Sequence, residues 1–132
     1  MAQDDTWMLA EVTGVPNVRH AMVLSADGLV KVASAGLPRD EADRLAAACA
    51  GLHSLGRGLA GRYGSGTGEV RQVVVEIDGG FVFLRAAGRG SQLAVVTAAN
   101  VDPALIAQQM AVQVRKIGES TLATPARGDL GR

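Results

Sequence analysis

The stretch from Arg39 to Tyr63 carries helical periodicity on two different faces, and it restricts what this chain can fold into more than any other segment. At 3.6 residues per turn, Leu45, Cys49, Leu52 and Leu59 line up on one side, flanked by Ala48 and Leu55. Nearly opposite run Ala47, Gly51, Ser54, Gly58 and Gly61, spaced four, three, four and three apart. A helix lying only on its own core would carry long charged side chains on that second side, yet here it is almost bare. Glycine inside a helix costs roughly 1 kcal/mol relative to alanine, and Gly51, Gly56, Gly58 and Gly61 all fall in this one. Close approach of another backbone would offset that cost. The plainer alternative is a glycine-rich, frayed helix end in a chain rich in alanine and glycine.

The 132 residues suffice for one domain with an ordinary core. A formal net charge of zero, with Arg and Lys scattered, argues against nucleic acid as the main partner. Only 3% of residues are aromatic, too few for stacking platforms along a single strand. The single cysteine excludes an internal disulfide and suits a reducing compartment. Gln3, Asp4 and Asp5 have the wrong charge for a signal peptide, and no apolar run reaches membrane-span length. These features point to a soluble, cytoplasmic protein without direct membrane insertion, any membrane association coming through partners.

Thr6 to Thr13 reads as a short helix capped by Thr6, with Trp7, Leu9 and Val12 on its apolar side and Gly14 and Pro16 ending it. Val18 to Ser25 and Leu29 to Ala33 read as a hairpin about Asp27-Gly28. The long helix follows, with Asp40, Glu41 and Asp43 favourably placed near its start, and Gly64 to Gly68 breaks it. Val70 to Ile77, Phe81 to Ala87 and Leu93 to Ala98 form a meander with turns at Asp78-Gly79-Gly80 and Gly88-Arg89-Gly90. Asp102-Pro103 starts a last helix ending near Gly118, with Ile106, Met110, Val114 and Ile117 as its buried stripe. The order is α-β-β-α-β-β-β-α, and five antiparallel strands with helices on both faces bury these stripes most simply. The domain is expected over residues 1–119, with an unstructured tail at 120–132.

Catalytic chemistry is hard to find. Gly51-Leu52-His53-Ser54-Leu55-Gly56 resembles a nucleophile elbow only superficially, because Leu52 stands where glycine is needed and the segment lies mid-helix. Gly64-Ser65-Gly66-Thr67-Gly68 follows a helix and precedes a strand, the reverse of the order that aims helix amides at phosphate. His20, His53 and Cys49 are too few and wrongly spaced for zinc, and Cys49 on the apolar face reads as a small hydrophobe. No carboxylate pair stands out for acid–base work. The sequence therefore implies no enzyme, no metal and no cofactor.

Val70, Val73, Val74, Val75 and Ile77 make a long, strongly β-prone strand with little charge at its centre. Exposed at a sheet edge it would template aggregation, a hazard that pairing with its own copy across a twofold axis removes. An internal strand with ordinary burial on both faces remains the alternative.

The run Val18-Arg19-His20-Ala21-Met22-Val23-Leu24-Ser25-Ala26-Asp27-Gly28-Leu29 resembles the opening hairpin of the roadblock/dynein light chain family, especially its small bacterial, actinobacterial-type members encoded beside Ras-like GTPases. The resemblance continues through Asp40-Glu41-Ala42, Leu45-Ala46-Ala47, Gly51-Leu52, Ser54-Leu55 and Gly68-Glu69-Val70-Arg71-Gln72. It resumes at Leu93-Ala94-Val95 and at Glu119, spanning about residues 6 to 120 through the order and spacing of the motifs. It implies a roadblock-like α/β (α+β) sandwich, and a homodimer in which the first meander strand pairs with its copy and the long helices lie side by side. It also implies an adaptor or regulator that binds a small Ras-like GTPase and modulates its GTP hydrolysis or signalling, alongside a sensor kinase in some systems.

The leucine face is then expected on the chain's own sheet. The partner and dimer surface would comprise Ala47, Gly51, Ser54, Arg57, Gly58 and Gly61 on the helix with Val73 and Val75 on the strand. Arg57 or Arg62 could act as an arginine finger, but positioning of the GTPase's own residues is the favoured reading. A small-molecule sensor module and a purely structural assembly subunit are the competing functions.

Overall fold

A computed structural model describes residues 5–129, with side chains described as far as residue 120. A 3-10 turn at Thr6–Met8 leads into a single helical turn, α1 (Ala10–Thr13). Strands β1 (Val18–Ser25) and β2 (Val30–Ala33) form the first hairpin, and α2 runs over Arg39–Tyr63, matching the periodic segment end to end. The meander is β3 (Gln72–Ile77), β4 (Gly80–Ala86) and β5 (Ser91–Ala98), and α3 (Pro103–Asp129) closes the chain. The strands form one antiparallel sheet in the order β2-β1-β5-β4-β3, so β2 and β3 are its two edges.

Local chemistry sets the turns. Gly28 (φ 88°) and Gly79 (φ 99°) supply the left-handed backbone that the two tight hairpins need. The first hairpin is held further by the Ser25 hydroxyl, which donates to the Asp27 carboxylate and accepts from the Leu29 amide. Asp102 caps α3, its Oδ1 accepting from the amides of Ala104 and Leu105 at 3.0 and 3.2 Å.

Period-two alternation divides the strands between two cores. Ala21, Val23, Phe83, Leu93 and Val95 face Leu9, Val12, Val15, Ile106, Met110 and Ile117, which builds the layer under α1 and α3. Met22, Leu24, Leu84 and Ala94 face the other way, against Ala42, Ala46 and Cys49 of α2. Helices thus cover both faces, as expected.

Three expectations need correction. Thr6 lies inside the 3-10 turn rather than capping a helix, because the segment splits at Leu9 (φ −121°), leaving α1 only four residues long. The last helix does not stop near Gly118 but continues to Asp129. One glycine costs only about 1 kcal/mol, too little to end a helix. The tail expected at 120–132 is therefore helical backbone to Asp129, and its last three residues lie outside those described.

The third correction concerns the leucine face. Leu45 and Leu52 pack on the sheet, but Leu55 and Leu59 are 71% and 62% exposed. The line in closest contact with the sheet is Ala42, Ala46 and Cys49, and Leu59 lies roughly 100° around the helix from it. Turned away from that line, Leu55 and Leu59 overhang the edge strand β3, with Val73 and Val75 beneath them.

Candidate interaction surface

The small residues on α2 present an open face. Ala47, Gly51, Ser54, Gly58 and Gly61 are all exposed, and a Cβ added at Gly51, Gly58 or Gly61 would meet nothing within 4 Å. Within the chain, then, these glycines answer to no close neighbour. Gly56 does: a Cβ there would stand 3.1 and 3.2 Å from the two methyl groups of Val70. The close approach inferred from the sequence exists at Gly56, on the side turned toward the strands, and where Gly28 of the first hairpin meets Ala46, Ala47 and Ala50, but not at Gly51, Gly58 or Gly61.

Beside the small face, the overhanging leucines border two adjoining apolar hollows of about 600 and 550 Å³. Leu52 and Leu55 line both; Val75 and Val82 close one, Leu59 and Val73 the other. Val73 and Val75 are half-buried and point toward α2, opposite Leu84 and Val82 of β4 in the ladder. Val74 and Ile77 are exposed. Strand β3 pairs with β4 on one side, and among the described residues no strand pairs with its other side. A row of unsatisfied backbone groups thus runs along an apolar groove. That combination favours a strand added at the edge together with apolar cover over the leucines.

Of the residues singled out from sequence, Val73 and Val75 lie in the groove wall, Gly51 and Ser54 on its rim, and Ala47, Gly58 and Gly61 on the outward face of the helix. Arg57 lies elsewhere, on the flank toward the β4–β5 turn, beside His53. Burial, and secondarily the charge of Arg57, hold the His53 imidazole below its ordinary pKa. Sequence reasoning missed Leu55, Leu59 and Val82 as surface groups by assigning the leucines to the inner face. The signal available was their angular distance from the Ala42–Ala46–Cys49 line.

Cys49 is fully buried, and desolvation pushes its thiol up to about 11. It therefore packs as a neutral group. Among the described residues no group of three or more His, Cys, Asp or Glu side chains could hold a metal ion. No helix among them is long and apolar enough to cross a membrane.

A five-stranded antiparallel sheet in the order 2-1-5-4-3, with one long helix on one face and the terminal helices on the other, defines the roadblock-like α/β sandwich. The chain belongs to the Roadblock/LC7 domain family, whose model matches residues 5–97. A Roadblock/LC7 domain from Streptomyces avermitilis is 42% identical, with a TM-score of 0.80 over 88% of this chain and 95% of that one. Myxococcus xanthus MglB shares the fold at 15% identity, with a TM-score of 0.79 over 92% of this chain and 99% of that one. The gliding protein MglB of Thermus thermophilus does so at 17% identity, with a TM-score of 0.72 over 86% and 87% of the two chains. No curated protein sequence matches this chain.

Proposed function

We propose that the chain is a homodimeric, non-catalytic adaptor that binds a small Ras-like GTPase and modulates its hydrolysis or signalling. The observation that carries the reading is the unpaired β3 edge beside the apolar groove under Leu55 and Leu59, in a member of the Roadblock/LC7 family. Pairing β3 with its copy would satisfy the free edge and bring the two overhanging leucine rows together. Membership of a family that works as GTPase adaptors supports the second half. The exposed small face of Ala47, Gly51, Ser54, Gly58 and Gly61 would then serve as a flat docking area, with Arg57 on its flank. A bare face of this kind admits a partner's backbone closely and costs little side-chain entropy on binding. A sensor kinase complex is a further partner within the same proposal.

Two measurements test the two halves separately. Light scattering on the full chain should give a dimer, and Leu59→Glu should give a folded monomer; a monomeric parent chain would refute the pairing. Pull-down with the Ras-like GTPase encoded nearest the gene, loaded with GTP or GDP, tests the partner, and no binding in either state would sink it. Gly51→Glu and Gly58→Arg place bulky charge on the face and should weaken dimerisation or docking while leaving the fold intact.

A further inference from the structure

The β1–β2 turn, the middle of α2, the α2–β3 loop and the β4–β5 turn enclose an open cleft of about 400 Å³, within the range of small-molecule sites. Its chemistry differs from that of the apolar groove. Two arginines, Arg57 and Arg71, line it, and among the described residues neither has a carboxylate within ion-pair distance. Outside the lining, the Lys31 ammonium donates to the hydroxyl of Ser91, itself a lining residue, at 2.8 Å. Among the described residues Glu69 is the only carboxylate in the lining, which leaves an uncompensated positive charge there. His53 contributes a neutral imidazole, because burial and the Arg57 charge disfavour its protonation.

A second observation is independent of charge. Gln92 also lines the cleft, is only 2% exposed, and its buried Oε1 has no hydrogen-bond partner. An orphaned buried amide oxygen costs roughly 1–3 kcal/mol, a cost that a partner from outside the chain would remove. Oε1 is an acceptor, so an oxyanion engages this amide only once it is turned about its terminal bond, which puts the NH2 where Oε1 now stands.

We propose that this cleft binds the phosphate group of a small phosphomonoester, held by Arg57 and Arg71 with the Gln92 amide in its wall. The planar guanidinium fork suits a tetrahedral oxyanion, and two of them match a dianion better than a single carboxylate. A phosphomonoester carries a charge of roughly −1.5 to −2 near neutral pH. The site does not depend on the partner proposed above.

The test is an NMR titration of the full-length chain with phenyl phosphate and inorganic phosphate, against sulfate and benzoate at matched ionic strength. Saturable shifts should centre on His53, Gly88, Gly90 and Gln92, and the His53 titration midpoint should move up as the anion stabilises the imidazolium. Arg71→Gln should weaken phenyl phosphate binding by about tenfold or more, the loss of a hydrogen bond to a charged group. Should Arg71→Gln lower the urea midpoint, Arg57→Gln serves as the second variant. Shifts that never saturate, that scatter over the surface, or that persist unchanged in the folded arginine variant would overturn the site. Sulfate or benzoate binding as tightly as phenyl phosphate would overturn the phosphate assignment. Gly51→Glu, aimed at docking and on the opposite side of α2 from the cleft, should leave phenyl phosphate binding unaltered, so the failure of either proposal is distinguishable from the other.

Discussion

Replacing Gly51, Gly58 and Gly61 by alanine should stabilise the chain, and Gly56→Ala should not. All four lie in α2, and the ordinary gain from removing glycine in a helix interior is roughly 1 kcal/mol each. At the first three positions the new methyl group would meet nothing within 4 Å, so that gain is undiminished. Together they should add about 2–3 kcal/mol, the smaller figure allowing for Gly61 in the last turn. At Gly56 the same gain is offset, because the methyl would press on both Val70 methyl groups at 3.1 and 3.2 Å. Overpacking of this kind costs about 1–3 kcal/mol, which brings the net change to zero or below. Urea unfolding at two protein concentrations is the assay. A slope of about 1–3 kcal/mol per molar converts each gain into a midpoint increase of roughly 0.3–1 M. A lower midpoint for Gly51→Ala and Gly58→Ala at both concentrations would refute the reasoning, since it would mean that the fold itself uses the small face. Higher stability with weakened GTPase pull-down would match the proposed docking area instead.

Gln113 is fully buried in α3, where its Oε1 accepts from the Glu11 amide at 2.8 Å and its Nε2 donates to the Trp7 carbonyl at 3.1 Å. Gln113→Leu should cost roughly 2–4 kcal/mol by stranding both backbone groups, and hydrogen exchange should localise the loss to residues 7–13; an unchanged urea midpoint would show that the amino-terminal segment is held by apolar contact alone. The Cys49 thiol, held at about 11 when folded against an ordinary value of 9.0, favours the folded chain fully below pH 9. That contribution is lost as pH rises toward 11, because the unfolded thiol ionises first. The loss is on the order of 2–3 kcal/mol, and it should vanish from the difference in urea midpoints between the parent chain and Cys49→Ala measured across that window; a constant difference would refute the assignment.

Much of the fold was legible because its signals are local. The two ends of α2, the Asp27-Gly28 turn, the Asp102 cap and the alternation in β1 and β5 each depend on residues a few positions apart. The length of α3 was less legible, since Gly118 looks like a stop although its cost of roughly 1 kcal/mol does not end the helix there. The interaction surface was half legible. Periodicity separated the small face from the apolar one, and the structure leaves that small face open. Periodicity did not reveal which apolar residues the sheet covers.

The sequence by itself determined that α2 has two faces, that β3 is a strand with little charge at its centre, and that the chain resembles the roadblock family. Tertiary structure decided what those faces meet. Because they lie well around the helix from the Ala42–Ala46–Cys49 line, Leu55 and Leu59 overhang rather than pack, and the strand order leaves β3 at an edge rather than inside. It also gathered Arg57, Arg71 and Gln92 around one cleft, although they belong to three separate segments. Periodicity is a property of neighbours along the chain. Burial and juxtaposition depend on where distant segments end relative to one another, and no local pattern records that.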